Sequence, residues 1–169
     1  LDGYLDGTIE SETYKSKKYS HQPFKTEVSN HTPRFHSIRD IEIFSELATD
    51  SLKDKPMYNT IEKIKNLYTK KTGKSSNIHK YYVLKLNEPS NTIVAHLHKD
   101  GLRHIHPDPK QARSITVREA ARLQTFADDF EFNSSMGDQY KMIGNAVPPV
   151  FAQKLGNAVY NFFITYAGK

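Results

Sequence analysis

Apolar side chains recur at helical spacing in the first half of the chain. From residue 38 to residue 49 they return every three or four positions, which predicts a helix with one buried face. Ser37 begins the capping-box pattern expected at the start of such a helix. Asn59 with Glu62 predicts the start of a second amphipathic helix. That helix should end at Gly73, because glycine adopts the left-handed conformation of a helix C-cap without strain.

Branched and aromatic residues replace this spacing farther along the chain. The segments 81–86 and 92–97 have the composition of strands. Asp100-Gly101 is typical of a hairpin turn, so residues 102–106 should return along the second of these strands. Strands flanked by helices predict the α+β fold class.

Helical patterns return in the C-terminal third. Thr116 begins a second capping box, which predicts a short helix through about Gln124. One helical turn is expected over residues 139–143, and Pro148-Pro149 suits the first turn of a final helix. That helix carries a broad apolar stripe, which requires a partner surface and consists of Val150, Phe151, Leu155, Ala158, Val159, Phe162 and Phe163.

The composition is that of an ordinary soluble protein. The 169 residues are 37% hydrophobic and 25% charged, enough for one core or for a small core with a docking segment. The formal charge of +5 suits a polyanionic partner without requiring one. No apolar run has the length of a membrane span and no signal peptide is visible, so a cytoplasmic location is expected. The start at Leu1 rather than at methionine favours an excised part of a longer protein.

Candidate metal and nucleophile chemistry is limited by one absence. The chain contains no cysteine, which excludes disulfides, thiolate metal sites and cysteine nucleophiles. Histidine is frequent, and His96, His98, His104 and His106 alternate in the segments predicted as strands. Such a set can hold zinc, but alternation on a solvent-facing strand explains it better, so no metal site is predicted.

Two neighbouring segments resemble known sequence motifs. Residues 113–130 read RSITVREAARLQTFADDF, and residues 139–149 read QYKMIGNAVPP. In this order they resemble the ninth and tenth motifs of the DNA (cytosine-5) methyltransferases. Residues 30–44 resemble the target-recognition region in one branch of that family, and residues 77–109 resemble the stretch that leads into its ninth motif.

The resemblance implies part of an enzyme. In the family, a cysteine thiolate attacks carbon 6 of a flipped-out cytosine in DNA, and carbon 5 then takes the methyl group of S-adenosylmethionine. The cysteine and the family's other N-terminal motifs are missing here, so no catalytic residue is assigned. Ala127 replaces a usual proline and Met142 a common glutamine, and neither side chain would perform chemistry. We therefore expect a chain that reads DNA and closes the cofactor site, inactive without an N-terminal catalytic half.

The resemblance also implies a division of roles along the chain. Residues 1–109 would be a small mixed target-recognition domain, and residues 110–169 would be helices that dock on a Rossmann-like methyltransferase domain. Asn145, Ala146 and Val147 would line the methionine end of the S-adenosylmethionine pocket. The residues expected to contact double-stranded DNA are His31, Arg34, Arg39, Ser76, Asn77, Lys80, His96, His98, Lys99, Arg103 and Arg113.

Arg113 and Arg118 leave two interpretations open. Either guanidinium could meet a phosphate, since arginine matches phosphate oxygens with two donors. The alternative is a structural role. The resemblance implies a segment that locks the recognition domain onto the catalytic domain, and the residues alone are also consistent with an amphipathic helix that has its own salt bridges, from Glu119 to Arg122 or Arg118. Two other functions compete at the level of the whole chain. One is a DNA-binding module without a catalytic partner, and the other is a protein interaction or dimerisation domain whose positive charge is incidental.

Overall fold

The computed structural model describes residues 28–75 and 80–166, and the fold is given for these residues alone. They form five α-helices and one short 3₁₀ helix. In chain order the elements are α1 Ile38–Ser51, α2 Ile61–Thr72, the 3₁₀ helix Gly101–Arg103, α3 Val117–Leu123, α4 Met136–Asn145 and α5 Pro149–Tyr166. None of these described helices is long and apolar enough to cross a membrane.

The first two helices follow the predicted caps closely. α1 begins after Ser37, whose hydroxyl accepts the backbone N–H three residues later at 3.3 Å. α2 ends at Gly73 in the left-handed conformation, with φ of 69°. The predicted start of α2 is wrong by one residue, because Thr60 is the N-cap and its hydroxyl accepts the N–H of Lys63. Asn59 instead accepts a hydrogen bond from the Lys63 ammonium.

The C-terminal helices are also close to prediction. α3 begins directly after Thr116, and α5 begins at Pro149, as expected. α4 is longer than the predicted single turn, because Ser135 caps it. The Ser135 hydroxyl accepts the N–H of Asp138 at 3.3 Å, which starts the helix at Met136.

The predicted strands and their hairpin are wrong in the described residues. A 3₁₀ helix forms at Gly101–Arg103, where the return strand should begin. The residues that follow pair instead with residues 82–84, through a parallel bridge between Val83 and Ile105. Ile105 forms a second, antiparallel bridge with Ser114. The pairing partners are distant in sequence, and both bridges stay isolated.

The described residues divide into two compact units. The first unit contains residues 28–31, 93–96 and 117–166, and the second contains residues 32–75, 80–92 and 97–116. The chain therefore joins the first unit over Ile93–His96, between two stretches of the second. The domain division predicted at residue 109 stays a prediction.

Each unit has its own buried side chains. In the second unit α1 packs against α2, and the core consists of Ile43, Phe44, Leu47, Leu67, Tyr81, Ile105 and Ala112. In the first unit α3 packs against α4, and Ala120, Tyr140 and Ile143 are buried. α5 differs, because Phe151 and Phe163 are exposed. Apart from Val150, which is buried, the apolar stripe predicted for the last helix is thus exposed in the described part of the chain.

Candidate functional site

A group of charged side chains gathers around one turn of the second unit. Arg34 donates from Nη1 to the backbone carbonyl of His98 at 3.2 Å. The Lys80 ammonium and the Arg103 Nε lie 3.6 Å and 3.9 Å from the Asp100 carboxylate. Lys80 and Arg103 keep 39% and 47% of their side chains exposed, so both can reach a ligand. We define the basic cluster as Arg34, Lys80, His98, Lys99, Asp100 and Arg103.

Gly101 allows Arg34 to lie against this turn. It is buried, and a Cβ at this position would lie 2.7 Å from Arg34 Nη1. A larger residue would therefore push the guanidinium away from the His98 carbonyl. The sequence pattern identifies Asp100-Gly101 only as a hairpin turn, and nothing in the local sequence reveals that this glycine faces a distant arginine.

His36 and Arg113 are both held by hydrogen bonds within the second unit. The Nε2 atom of His36 accepts the backbone N–H of Ser114 at 3.1 Å. Burial and then the charge of Arg34 lower the pKa of His36, so the neutral ring is favoured. Arg113 is 8% exposed and donates to the Gln111 side chain at 2.6 Å and 2.9 Å, and to the Ser114 carbonyl at 3.1 Å. These internal acceptors favour a structural role for Arg113.

Within the second unit, two further predicted DNA contacts, Arg39 and Arg113, are not part of the basic cluster. Arg39 is exposed on α1 and pairs with the carboxylate of the next residue. His31 and His96 belong to the first unit. Ser76 and Asn77 lie outside the described residues. The structure thus brings together Arg34, Lys80, His98, Lys99 and Arg103.

The segment 144–149, which we call the 144–149 turn, is held at both ends by residues that follow α3. Gln124 donates from Nε2 to the carbonyl of Ile143 at 3.1 Å, within the buried interior. Thr125 Oγ1 accepts the N–H of Val150, the second residue of α5, at 3.1 Å. The two motif-like segments of the sequence are therefore joined by direct hydrogen bonds in the first unit.

The three residues predicted to line the cofactor pocket lie in this turn. Asn145 is the exposed last residue of α4. The N–H of Ala146 donates to the Ile143 carbonyl at 3.2 Å, which ends the helix. Val147 is 60% exposed. An exposed amide that both donates and accepts is therefore presented at a helix end, beside an exposed apolar side chain.

Arg118 is fully buried in the first unit. Its guanidinium donates to the backbone carbonyls of Ser29, Ala127 and Phe130 at 3.0 Å, 3.1 Å and 2.7 Å. Burial, the largest influence, lowers its pKa. A guanidinium surrounded by protein carbonyls in this way cannot meet a phosphate, which favours a role for Arg118 in holding its own unit together.

The predicted exposure of the last two alternating histidines is wrong. His104 and His106 are 0% and 3% exposed, because their segment lies between residues 82–84 and 113–115. His106 Nδ1 accepts the N–H of Asp108 at 3.1 Å. In the part of the chain that the structure describes, no group of three or more histidine or acidic side chains has the arrangement of a metal site.

Comparisons with known proteins agree on one family. The family model for the C-5 cytosine-specific DNA methylases matches residues 5–161. A putative type II methyltransferase of Oceanobacillus iheyensis, M.OihORF3336P, is 50% identical over 82 residues, which are 48% of this chain and 17% of the relative. The type II methyltransferase M.Bpa9945I of Bacillus paralicheniformis is 40% identical over 134 residues, 78% of this chain and 29% of the relative.

A third relative gives the same picture. The type II methyltransferase M.NgoFVII of Neisseria gonorrhoeae is 36% identical over 115 residues, covering 68% of this chain and 26% of the relative. The chain thus spans between 17% and 29% of the length of these three curated relatives. No solved structure matches it significantly.

Proposed function

The chain belongs to the C-5 cytosine-specific DNA methylase family, and we propose that it is the DNA-reading and cofactor-site-closing part of such an enzyme. The intact enzyme would transfer a methyl group from S-adenosylmethionine to carbon 5 of cytosine in DNA. The chain has no cysteine, so the thiolate that attacks cytosine must come from another part of the enzyme. This chain alone would therefore be inactive.

The observation that carries this proposal is the pair of hydrogen bonds at the ends of the 144–149 turn. Gln124 and Thr125 lie in the segment that resembles the ninth motif, and the turn lies in the segment that resembles the tenth. Their hydrogen bonds fix the turn from both ends and leave Asn145 exposed. The Asn145 amide suits the zwitterionic end of S-adenosylmethionine, because it can bind both the ammonium and the carboxylate.

The basic cluster supports the DNA-reading role. Lys80 and Arg103 are oriented by Asp100, and Lys99 is exposed beside them. Cations in this arrangement can neutralise phosphates of a duplex, which strengthens binding and makes it sensitive to salt. We assign phosphate contact to these three cations, because Lys and Arg side chains are among the groups that contact phosphate oxygens. Such contacts position a protein on DNA, while base contacts specify the sequence.

The exposed apolar side of α5 supports an N-terminal catalytic half as the partner. Phe151, Leu155 and Phe163 each keep more than half of their surface exposed. An apolar stripe of this kind needs a partner surface, and most of the length of the relatives lies outside this chain. In the proposal, the helices after residue 109 dock on a Rossmann-like methyltransferase domain, and the recognition region has an α+β fold.

The proposal is tested by reconstitution. The chain would be mixed with the N-terminal part of M.Bpa9945I, cut before the region that aligns with this chain, with labelled S-adenosylmethionine and unmethylated DNA. Transfer of label to cytosine is expected only when both parts are present. Matched controls are each part alone and an N-terminal part whose catalytic cysteine is replaced by alanine. Absence of transfer, while intact M.Bpa9945I transfers label under the same conditions, would contradict the proposal.

A DNA-binding module without a catalytic partner is the second candidate, because the basic cluster needs no cofactor. It predicts DNA binding by the chain alone that weakens steeply with salt, with no assembly with the N-terminal part. A gel-shift salt series on the isolated chain, followed by size-exclusion chromatography of the mixture, separates the two candidates.

A further inference from the structure

We propose that Gly144 is a positioning residue, which sets the place of Asn145 through backbone contact with Val94 and Ala95. The inference deepens the proposed function and rests on it, since Asn145 is assigned there to the methyl-donor pocket. Gly144 itself would touch neither donor nor DNA. Its role would be to let two stretches of backbone meet at a distance that no other residue permits.

The space around Gly144 is closed by backbone atoms. A Cβ built on Gly144 would lie 2.5 Å from the carbonyl oxygen of Val94 and 2.8 Å from that of Ala95. Both distances are far shorter than van der Waals contact. A flexible side chain could rotate away from such a clash, but a carbonyl moves only with its segment. Any substitution must therefore shift either α4 or residues 93–96.

The requirement for glycine at this position is steric. Among the described glycines only Gly73 has a positive φ, so the backbone of Gly144 suits any residue. Gly137, in the same helix, has no close neighbour, since the nearest atom to its Cβ position is the Ser135 hydroxyl at 4.0 Å. Gly137 and Gly144 thus share a helix and differ in the space beside them.

The contact gives the 144–149 turn a third fixed point. Gln124 holds the carbonyl of Ile143, and Thr125 holds the N–H of Val150. Residues 93–96 contact the turn at Gly144, immediately before Asn145, and Ile93 is only 9% exposed, which anchors that segment within the same unit. A displacement of α4 at Gly144 would therefore move the Asn145 amide directly.

The experiment compares Gly144→Ala with Gly137→Ala. In the chain assembled with the N-terminal part of M.Bpa9945I, Gly144→Ala should weaken S-adenosylmethionine binding about tenfold, as expected for overpacking against fixed atoms. DNA affinity of the same assembly should change by less than about twofold, because the basic cluster is untouched. Gly137→Ala should leave both affinities unchanged. Equal donor affinity for the two variants would overturn the inference.

Hydrogen exchange provides a test that does not depend on the donor. In the isolated chain, Gly144→Ala should speed amide exchange at residues 145–147 and 93–96 and leave α1 unchanged. Unchanged exchange at both segments would overturn the positioning role. If the wild-type assembly bound no donor, the proposed function would fail, while the exchange data would still decide the contact at Gly144.

A third measurement covers the case in which Gly144→Ala does not fold. In the wild-type assembly, addition of S-adenosylmethionine should slow exchange at residues 93–96 together with residues 145–147. Protection of residues 145–147 alone would overturn the inference, because the two segments would then respond independently.

Discussion

Thr125 Oγ1 accepts a hydrogen bond from the backbone N–H of Val150, 3.1 Å away and 25 positions later in the chain. Thr125 has a φ of 64°, a left-handed conformation that is unusual for a β-branched residue. Val150 lies in the first turn of α5, where backbone N–H groups have no partner inside the helix. The strained threonine therefore caps a helix that begins well beyond it in sequence.

Thr125→Val should lower the free energy of unfolding by about 1 kcal/mol, because it removes this acceptor and retains the branched shape. Urea denaturation of the isolated chain measures the change. The matched control is Thr165→Val, since the Thr165 hydroxyl only donates to the Asn161 carbonyl on exposed helix surface. Equal destabilisation by the two variants would show that the Thr125 contact contributes nothing specific.

Arg118→Met should lower the free energy of unfolding by about 3 kcal/mol, because buried carbonyls lose charged donors. The Arg118 guanidinium donates to the backbone carbonyls of Ser29, Ala127 and Phe130. The control Arg39→Met removes the same charge from an exposed site and should change stability by less than about 1 kcal/mol. A small effect at Arg118, measured by urea denaturation, would contradict its structural role.

Gly101→Ala should weaken DNA binding about fivefold without unfolding the chain, since the displaced atom is the end of the flexible Arg34 side chain. Arg34→Met should cause a similar loss of affinity. The double variant should lose little more, because both changes remove the same hydrogen bond between Arg34 and the His98 carbonyl. Fluorescence anisotropy with duplex DNA measures the affinities. Gly156→Ala, at an open position in α5, is the control. Additive losses would mean that Gly101 acts independently of Arg34.

Lys99→Gln should weaken binding to all DNA sequences and reduce the slope of log affinity against log salt by about one. Lys99 is exposed within the basic cluster. Lys85→Gln is a control of identical charge change, because Lys85 pairs with Glu88 outside the cluster. Titrations at several salt concentrations distinguish the two. The same slope for both variants would indicate that only net charge matters.

Stability should fall as the pH drops below the ordinary histidine range. Burial and then Arg34 lower the pKa of His36, and burial chiefly lowers that of His104. The unfolded chain therefore takes up protons near the ordinary histidine pKa of about 6.5, before the folded chain does. The contribution of each neutral ring is complete above that pH and is lost as the pH falls towards the lowered folded pKa.

The pH effect is measured by urea denaturation at about pH 7.5 and about pH 5.5, above the range in which carboxylates titrate. His36→Gln should reduce the difference in unfolding free energy between the two conditions, because one of the two imidazoles with a lowered pKa no longer titrates. An unchanged difference would exclude His36 as a source of the pH dependence.

The helices could be predicted from local sequence signals. The strand predictions were wrong, because the pairing of those residues depends on contacts outside their own segments. Ser37 and Gly73 act on their own helix ends, so a few neighbouring residues suffice to identify them. The sequence could not decide between Asn59 and Thr60 as the N-cap of α2, because both residue types suit that position, and the structure has Thr60 there. Ile105 pairs with Val83 and Ser114, a choice that depends on how the whole unit folds and not on its neighbours.

The candidate site was likewise predictable only in part. The turn around Asn145 is recognisable from its motif, but its fixed points are not. Nothing local in the sequence shows that Arg34 donates to the carbonyl of His98, 64 positions away. The same holds for Gly101 and Gly144, whose importance comes from the atoms that approach them in space.

The path of the chain through Ile93–His96 has a practical consequence for protein engineering. These residues are flanked by the second unit in sequence but are compact with the first. A hybrid that takes its target specificity from a relative should keep Ile93–His96 of this chain. The first exchanged segment should end at Thr92, and the second should begin at Leu97. A graft that imports the whole interval would replace the backbone that Gly144 contacts. Under the proposed function, donor affinity should then change together with target sequence.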